Sequence, residues 1–322
     1  MTAPTSAGDP PARGAARTEP ARGAARTEPA RGLSIRMTTP TPDRTAPEPL
    51  IRVTEVTRDY PRPRTSLLKR APVVHALRGV SLDVRPGERF GIVGESGCGK
   101  STLLRIIAGL DRPTAGQVVV DGQEISRLPE RRLRFLREEL QLVFQDPMSS
   151  LDPRMRVRDI IAEPLVVQGH PASGARVREL LDAVGLPADS GDRYPHQFSG
   201  GQRQRISLAR ALAPSPKILV ADEPVSALDV SVRAQVLNLI SDLVDDLELT
   251  LVFVSHDLSV VKHVCDTVAV MHAGRIVETG TTGEVYATPQ HPYTRRLVAA
   301  IPTLPRALAG ATTRDLLKGA LE

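Results

Sequence analysis

Nine consecutive residues, Gly94-Glu95-Ser96-Gly97-Cys98-Gly99-Lys100-Ser101-Thr102, place glycines, one lysine and two adjacent hydroxyls in the pattern G-x-x-x-x-G-K-[ST]. That spacing suits the cradling of a chain of phosphates. Gly94, Gly97 and Gly99 let successive backbone N–H groups converge on phosphate oxygens at the positive end of a following helix. Lys100 is placed to reach the β- and γ-phosphates, Ser101 to offer its hydroxyl to Mg²⁺, and Thr102 to touch the α-phosphate. The apolar run Phe90-Gly91-Ile92-Val93 just before reads as a buried strand, and apolar residues recur at helical spacing from Lys100 to Leu110. That setting weighs against a mere glycine-rich turn with a solvated lysine.

Other polar residues stand at the ends of apolar runs. Asp222 and Glu223 close the run Lys217-Ile218-Leu219-Val220-Ala221. Asp222 suits Mg²⁺, directly or through water, and Glu223 suits a general base that polarises water for in-line attack on the γ-phosphate. Alternation along a strand would turn the two carboxylates to opposite sides, one for each role. Gln145 follows the short run Gln141-Leu142-Val143-Phe144, where it could reach Mg²⁺ or the attacking water; by itself it is a loop glutamine. His256 caps Leu251-Val252-Phe253-Val254-Ser255 and could bond a phosphate oxygen, a duty most lone histidines at strand ends lack. Tyr60, ending the strand Leu50 to Tyr60, is either a ring for a nucleobase to stack on or an ordinary half-buried tyrosine. Ser199-Gly200-Gly201-Gln202 opens the basic amphipathic helix Arg203 to Leu212 and forms a second anion cradle. One nucleotide does not need two cradles, so the second is expected to serve a nucleotide held by another subunit.

The elements that must position these residues follow from pattern and composition. The chain has 322 residues, of which 41% are hydrophobic and 25% charged, enough for one large or two modest soluble domains. Its net charge of +5 is mild for that length and selects no partner. Cys98 and Cys265 are the two cysteines, which makes a disulfide scaffold improbable; both are expected to be reduced, in a cytosolic setting. No run approaches the roughly 18 to 20 apolar residues that cross a bilayer, so membrane association is expected through a partner. Residues 1–48 carry the nine-residue unit Ala-Arg-Gly-Ala-Ala-Arg-Thr-Glu-Pro in tandem from Ala12 and Ala21, and are expected to be a disordered tail. A second, shorter surface loop is expected over Pro61 to Pro72. Val80 to Val84 and Val118 to Val120 read as strands, residues 156–197 as a helical insertion, and Ser231 to Leu247 as a helix.

The ordered set of phosphate loop, Gln145, Phe198-Ser199-Gly200-Gly201-Gln202, Asp222-Glu223, Asp229 and His256 resembles the nucleotide-binding subunits of ABC transporters over roughly residues 50 to 290. The resemblance implies an α/β P-loop NTPase fold with a RecA-like core, an N-terminal antiparallel β subdomain and a helical subdomain over about 146–213, within a domain of residues 49–290. It implies ATP and Mg²⁺ as cofactors, held by Gly94 to Thr102, with Ser101, Gln145 and Asp222 serving the metal. Tyr60 would stack on adenine, and Ser199, Gly200, Gly201 and Gln202 would contact ATP across a dimer. Lys100 and Glu223 would be catalytic, Gln145 would link Mg²⁺ to the membrane subunit, Asp229 would communicate between sites, and His256 would sense the γ-phosphate. Phe198 stands where leucine is commoner, a conservative departure.

Three stretches, Phe144 to Arg154, Tyr194 to Arg203 and His291 to Leu297, are similar to the dipeptide, oligopeptide and nickel importer subfamily, with residues 291–322 as its C-terminal extension. Glu95 to Gly99 and the loop Pro61 to Pro72 resemble the second, F-type ATPase of such importers. With no cysteine after Cys265, no iron–sulfur cluster is expected. The implied partners are a second ATP-binding subunit, two membrane permeases and an external binding protein, with the chain peripheral at the cytoplasmic face of the membrane. The readings weighed against this are a soluble ABC-type ATPase acting on nucleic acid or ribosomes, for which a single motif set and absent heptads speak poorly. A non-hydrolysing regulatory subunit sits badly with Lys100, Glu223 and His256.

Overall fold

The computed structural model describes residues 48–61 and 73–301. Residues 1–47 of the expected tail, nearly all of the expected loop after Pro61, and the end of the C-terminal extension lie outside the described residues.

The chain opens with β1 (Ile51–Pro61) and β2 (Val73–Val84), which pair antiparallel. Ile51 and Val53 point into the core, and strict alternation would then bury Glu55. Instead Glu55 takes φ 47°, the register slips, and Val56 is buried in its place. Strand β3 (Arg89–Val93) leads through the phosphate loop into α1 (Lys100–Ile107), followed by β4 (Ala115–Val120) and β5 (Gln123–Glu124). The first sheet, in the order β2-β1-β4-β5, is antiparallel throughout. Next come α2 (Arg134–Glu139) and β6 (Leu140–Val143). Residues 147–212 form the helices α3 (Pro147–Ser150), α4 (Val157–Gln168), α5 (Gly174–Ala183) and α6 (Gly200–Leu212).

The chain then returns to strands with β7 (Ile218–Asp222), α7 (Val230–Asp246), β8 (Thr250–Ser255) and α8 (Leu258–Val264). It closes with β9 (Thr267–His272), β10 (Arg275–Thr281), α9 (Thr282–Ala287) and α10 (Pro292–Ala299). The second sheet has the order β10-β9-β3-β8-β7-β6, parallel except for the β9–β10 hairpin. Its inner strands β9, β3, β8 and β7 are apolar on both faces because both faces are covered. Val220, Val252 and Val254 pack with Leu103, Leu104 and Ile107 of α1, while Leu219, Ala221, Leu251 and Phe253 pack against α6, α7 and α8. Cys98 and Cys265 are buried and free. Among the described residues no helix is long and apolar enough to cross a membrane.

Candidate nucleotide site

Strands β3, β8, β7 and β6 are neighbours and run parallel, so the segments leaving their C-terminal ends meet at one edge of the sheet. From these ends come, respectively, the phosphate loop, His256, the Asp222–Glu223 pair and Gln145. Four stretches far apart in sequence thereby share one site.

The loop's shape rests on backbone angles. Gly94 has φ 156°, and a Cβ there would lie 2.2 Å from the carbonyl oxygen of Met271; Gly99 has φ 110°, and its Cβ would lie 2.6 Å from that of Ala76. Both positions therefore exclude a side chain. At Gly97, by contrast, the Cβ direction is open. Lys100 is almost fully buried, and its Nζ donates to the carbonyls of Gly94 at 2.7 Å and Glu95 at 3.0 Å, with Glu223 Oε1 3.9 Å away. Two of its three donors are thus used and one is left for an anion.

Ser101 Oγ donates to Asp222 Oδ1 at 3.3 Å. Burial pushes the Asp222 pKa up and the charge of Glu223 adds to this, while the Ser101 bond opposes it. A hydroxyl beside a carboxylate is the oxygen-donor chemistry that suits a hard divalent cation, so the residues present fit Mg²⁺. Glu223 corrects one sequence expectation. Strand alternation does not separate the two carboxylates, because β7 ends at Asp222 and Glu223 adopts φ 47°, a left-handed backbone that is strained for a non-glycine residue. Its N–H still donates to Val254 O at 2.9 Å, and its Oε2 lies 2.9 Å from His256 Nδ1.

A cavity of about 410 Å³ sits over the loop, lined by Ser96, Gly97, Gly99 to Thr102, Gln145 and Glu223. Sequence reasoning missed the rest of its wall: Val74, His75, Ala76 and Arg78 of β2, and Ala273 and Gly274 of the β9–β10 turn. Ala273 with φ 47° and Gly274 with φ 81° form a turn, and the Ala-Gly pair between two apolar runs was its signal. Tyr60 does not line the cavity, yet it pairs directly with Val74, which does. Its hydroxyl donates to Asp111 Oδ2 at 2.6 Å, and the Arg58 guanidinium lies 4.5 Å from the ring centroid.

The segment expected as a second cradle does not join this cavity, since no residue of Ser199–Gln202 lines it. Ser199 caps α6: its Oγ accepts from Gln202 N at 3.3 Å, and Gln202 Oε1 accepts from Ser199 N at 3.0 Å. A Cβ on Gly201 would meet Val232 Cγ1 at 2.3 Å, so glycine permits the close approach of α6 to α7. Asp229 caps α7, accepting from Val232 N and Ser231 Oγ, each at 3.0 Å, and these bonds hold its carboxyl below the usual range. Val232 therefore joins the Asp229 cap to the Ser199 segment.

A family model described as ABC transporter matches residues 77–226. A putative oligopeptide transport ATP-binding protein of Bacillus subtilis is 50% identical over 252 residues, 77% of either chain. The oligopeptide transport ATP-binding protein of Mycobacterium tuberculosis is 51% identical over 256 residues, covering 79% of this chain and 42% of that longer one. Among solved structures, a dimeric ATP-binding cassette in a post-hydrolysis state with ADP and phosphate aligns with TM-score 0.64 and 31% identity, over 72% of this chain and 98% of that one. A cassette from Clostridium perfringens, part of an ABC transporter complex, aligns with TM-score 0.65 and 28% identity over 81% and 97%.

Proposed function

Because this chain belongs to the ABC transporter family and is an ATPase of that family, we propose that it hydrolyses MgATP to drive import of di- or oligopeptides through partner permeases. The observation that carries the peptide assignment is half-identity across 252 residues with an oligopeptide transport ATP-binding protein, a span well beyond the nucleotide motifs. Nickel or another solute is the alternative cargo within the same subfamily.

When bound, Mg²⁺ neutralises phosphate charge and orients the terminal phosphate. Ser101, Asp222 and Gln145 would hold it. The remaining work belongs to side chains of this chain. Lys100 meets the β- and γ-phosphates with the amides of the loop, Glu223 takes the proton of the attacking water, and His256 holds the Glu223 carboxylate from 2.9 Å. Tyr60 provides the adenine platform beside Val74. Ser199 to Gln202, set apart from the cavity of their own chain, close the site of a second ATP-binding subunit.

A groove of about 450 Å³ beside Gln145, lined in part by Leu142, Phe144, Pro164 and Val167, exposes Phe144 and Val167 and is the seat we assign to the permease. The chain would thus sit peripherally at the cytoplasmic face of the membrane, with a second ATPase, two permeases and an external peptide-binding protein. Purification of the tagged chain from detergent-solubilised membranes tests this. Two permeases and a second ATPase should copurify, and vesicles reconstituted with the binding protein should accumulate labelled tripeptide only with MgATP. A soluble eluate without membrane partners would overturn the reading in favour of a nucleic-acid or ribosome ATPase.

A further inference from the structure

The C-terminal segment touches the phosphate loop directly. Glu278 of β10 pins the segment's start, its carboxylate accepting from Gln290 N at 2.8 Å and His291 N at 2.9 Å. Arg295 ties the same turn from the other side, donating to Pro289 O and Gln290 O. His291 Nδ1 then accepts from Tyr293 N at 3.2 Å and caps α10. The helix so placed inserts Tyr293, 2% exposed, against the end of β9, where its ring lies 4.0 Å from that of His272. From there the phenolic oxygen accepts the N–H of Glu95 at 3.0 Å.

Glu95 is the second residue of the loop. Its N–H is held by Tyr293, while its carbonyl receives Lys100 Nζ. Gly94, immediately before, has φ 156° and leaves no room for a Cβ, which would lie 2.2 Å from Met271 O. The orientation of this short limb therefore sets where Lys100 waits and how the following amides are aimed. A Phe at 293 would leave the ring seat intact and strand a part-buried amide without its acceptor.

We infer that Tyr293 is a positioning residue of the phosphate loop, through which the C-terminal segment holds the loop ready for a nucleoside polyphosphate. The inference rests on the reading of Gly94 to Thr102 as the nucleotide site, and a Lys100→Ala control separates the two. Burial keeps the phenol protonated across the neutral range, so the contact persists there.

Tyr293→Phe in the full chain is the test, with MgADP binding followed by calorimetry and exchange of the Glu95 amide followed by mass spectrometry. Loss of one hydrogen bond predicts a dissociation constant about fivefold higher. The Glu95 amide should exchange faster, and the nucleotide-free chain should melt roughly 2–4 °C lower, the cost of one stranded amide. Glu278→Gln loosens the segment's anchor without touching the loop and should weaken binding in the same direction. Added to Tyr293→Phe it should bring no further loss. Wild-type affinity in Tyr293→Phe, with Tyr293→Ala alone impaired, would reduce the residue to ring packing and overturn the inference. If Tyr293→Phe proves too unstable to assay, unchanged affinity in Glu278→Gln overturns it instead. If Lys100→Ala binds MgADP like wild type, the nucleotide site itself has been misplaced.

Discussion

Asp222 and Glu223 are adjacent and acidic, yet their surroundings set them different tasks. Asp222 is half-buried beside Ser101 of α1 with its pKa pushed up, a shift that favours protonation where the proposed divalent cation would need the carboxylate. The sign follows: in the ligand-free chain the fold is penalised as pH rises from the ordinary Asp value through the raised one, and bound Mg²⁺ offsets that penalty. MgADP binding should therefore weaken in acid at a pH above the usual carboxylate range, while metal-free ADP binding shows no such step. Asp222→Asn should remove the step; calorimetric titration across pH checks both. Glu223, held by His256 in a left-handed backbone, makes a contact of another kind. Glu223→Gln should keep nucleotide affinity and lower ATPase turnover of the assembled complex by roughly a hundredfold or more, the usual share of a general base. Equal turnover in that variant would remove Glu223 from the role.

At the scale of elements, the first turn of α6 and the first turn of α7 are built to touch. Gly201→Ala would drive a methyl to 2.3 Å from Val232 Cγ1 and should destabilise the chain by about 1–3 kcal/mol, read from the urea midpoint. Val232→Ala in the same chain should recover most of that loss. The end of β1 is tied to the segment after α1 in a different way, by charge. Burial alone would raise the Asp111 pKa, but bonds from Tyr60 and the Arg112 amide and the charge of Arg58 win and bring it below its usual value. A lowered carboxylate pKa gives stability that is present above the unfolded value and lost as pH falls through the folded one. Asp111→Asn should flatten the acid limb of the stability profile as pH falls below the ordinary Asp value, as urea midpoints will show. Much of this scaffold was legible in the chain. Buried parallel strands announce themselves as apolar runs, and polar residues at their ends mark the site. Long-range docking was not legible: nothing near Tyr293 in sequence names Glu95, 198 positions away. Nor could period-2 alternation anticipate the bulge at Glu55 or the left-handed turn at Glu223, because both are settled by tertiary contacts that override the local pattern.

At the scale of the whole molecule, the two segments proposed as anion cradles line no common cavity. The phosphate loop, Gln145 and Glu223 line one cavity, to which Asp222 and His256 connect through Ser101 and Glu223, while Ser199 to Gln202 line no part of it and pack through Gly201 against Val232 of α7. Binding and turnover should therefore separate by subunit. Ser199→Asp isolates the point, because aspartate caps a helix about as well as serine but places a negative charge where a phosphate would approach. The variant should fold and melt as wild type and bind MgADP with unchanged affinity, since its own loop is intact. In the assembled complex the ATPase rate should fall more than about tenfold, because the charge faces the nucleotide of the neighbouring subunit. Where the second ATP-binding subunit is another copy of this chain, mixing the variant with Lys100→Ala chains makes the geometry explicit. In a mixed pair, one of the two composite sites joins the intact loop of the Ser199→Asp chain to the intact Ser199 segment of the Lys100→Ala chain, and the other site carries both lesions. If the cradles act across the interface, the mixture should recover activity that neither variant has alone. If they act within one chain, mixing recovers nothing, and the separation of the two cradles would then have to close by movement of the helices α3 to α6 onto their own phosphate loop.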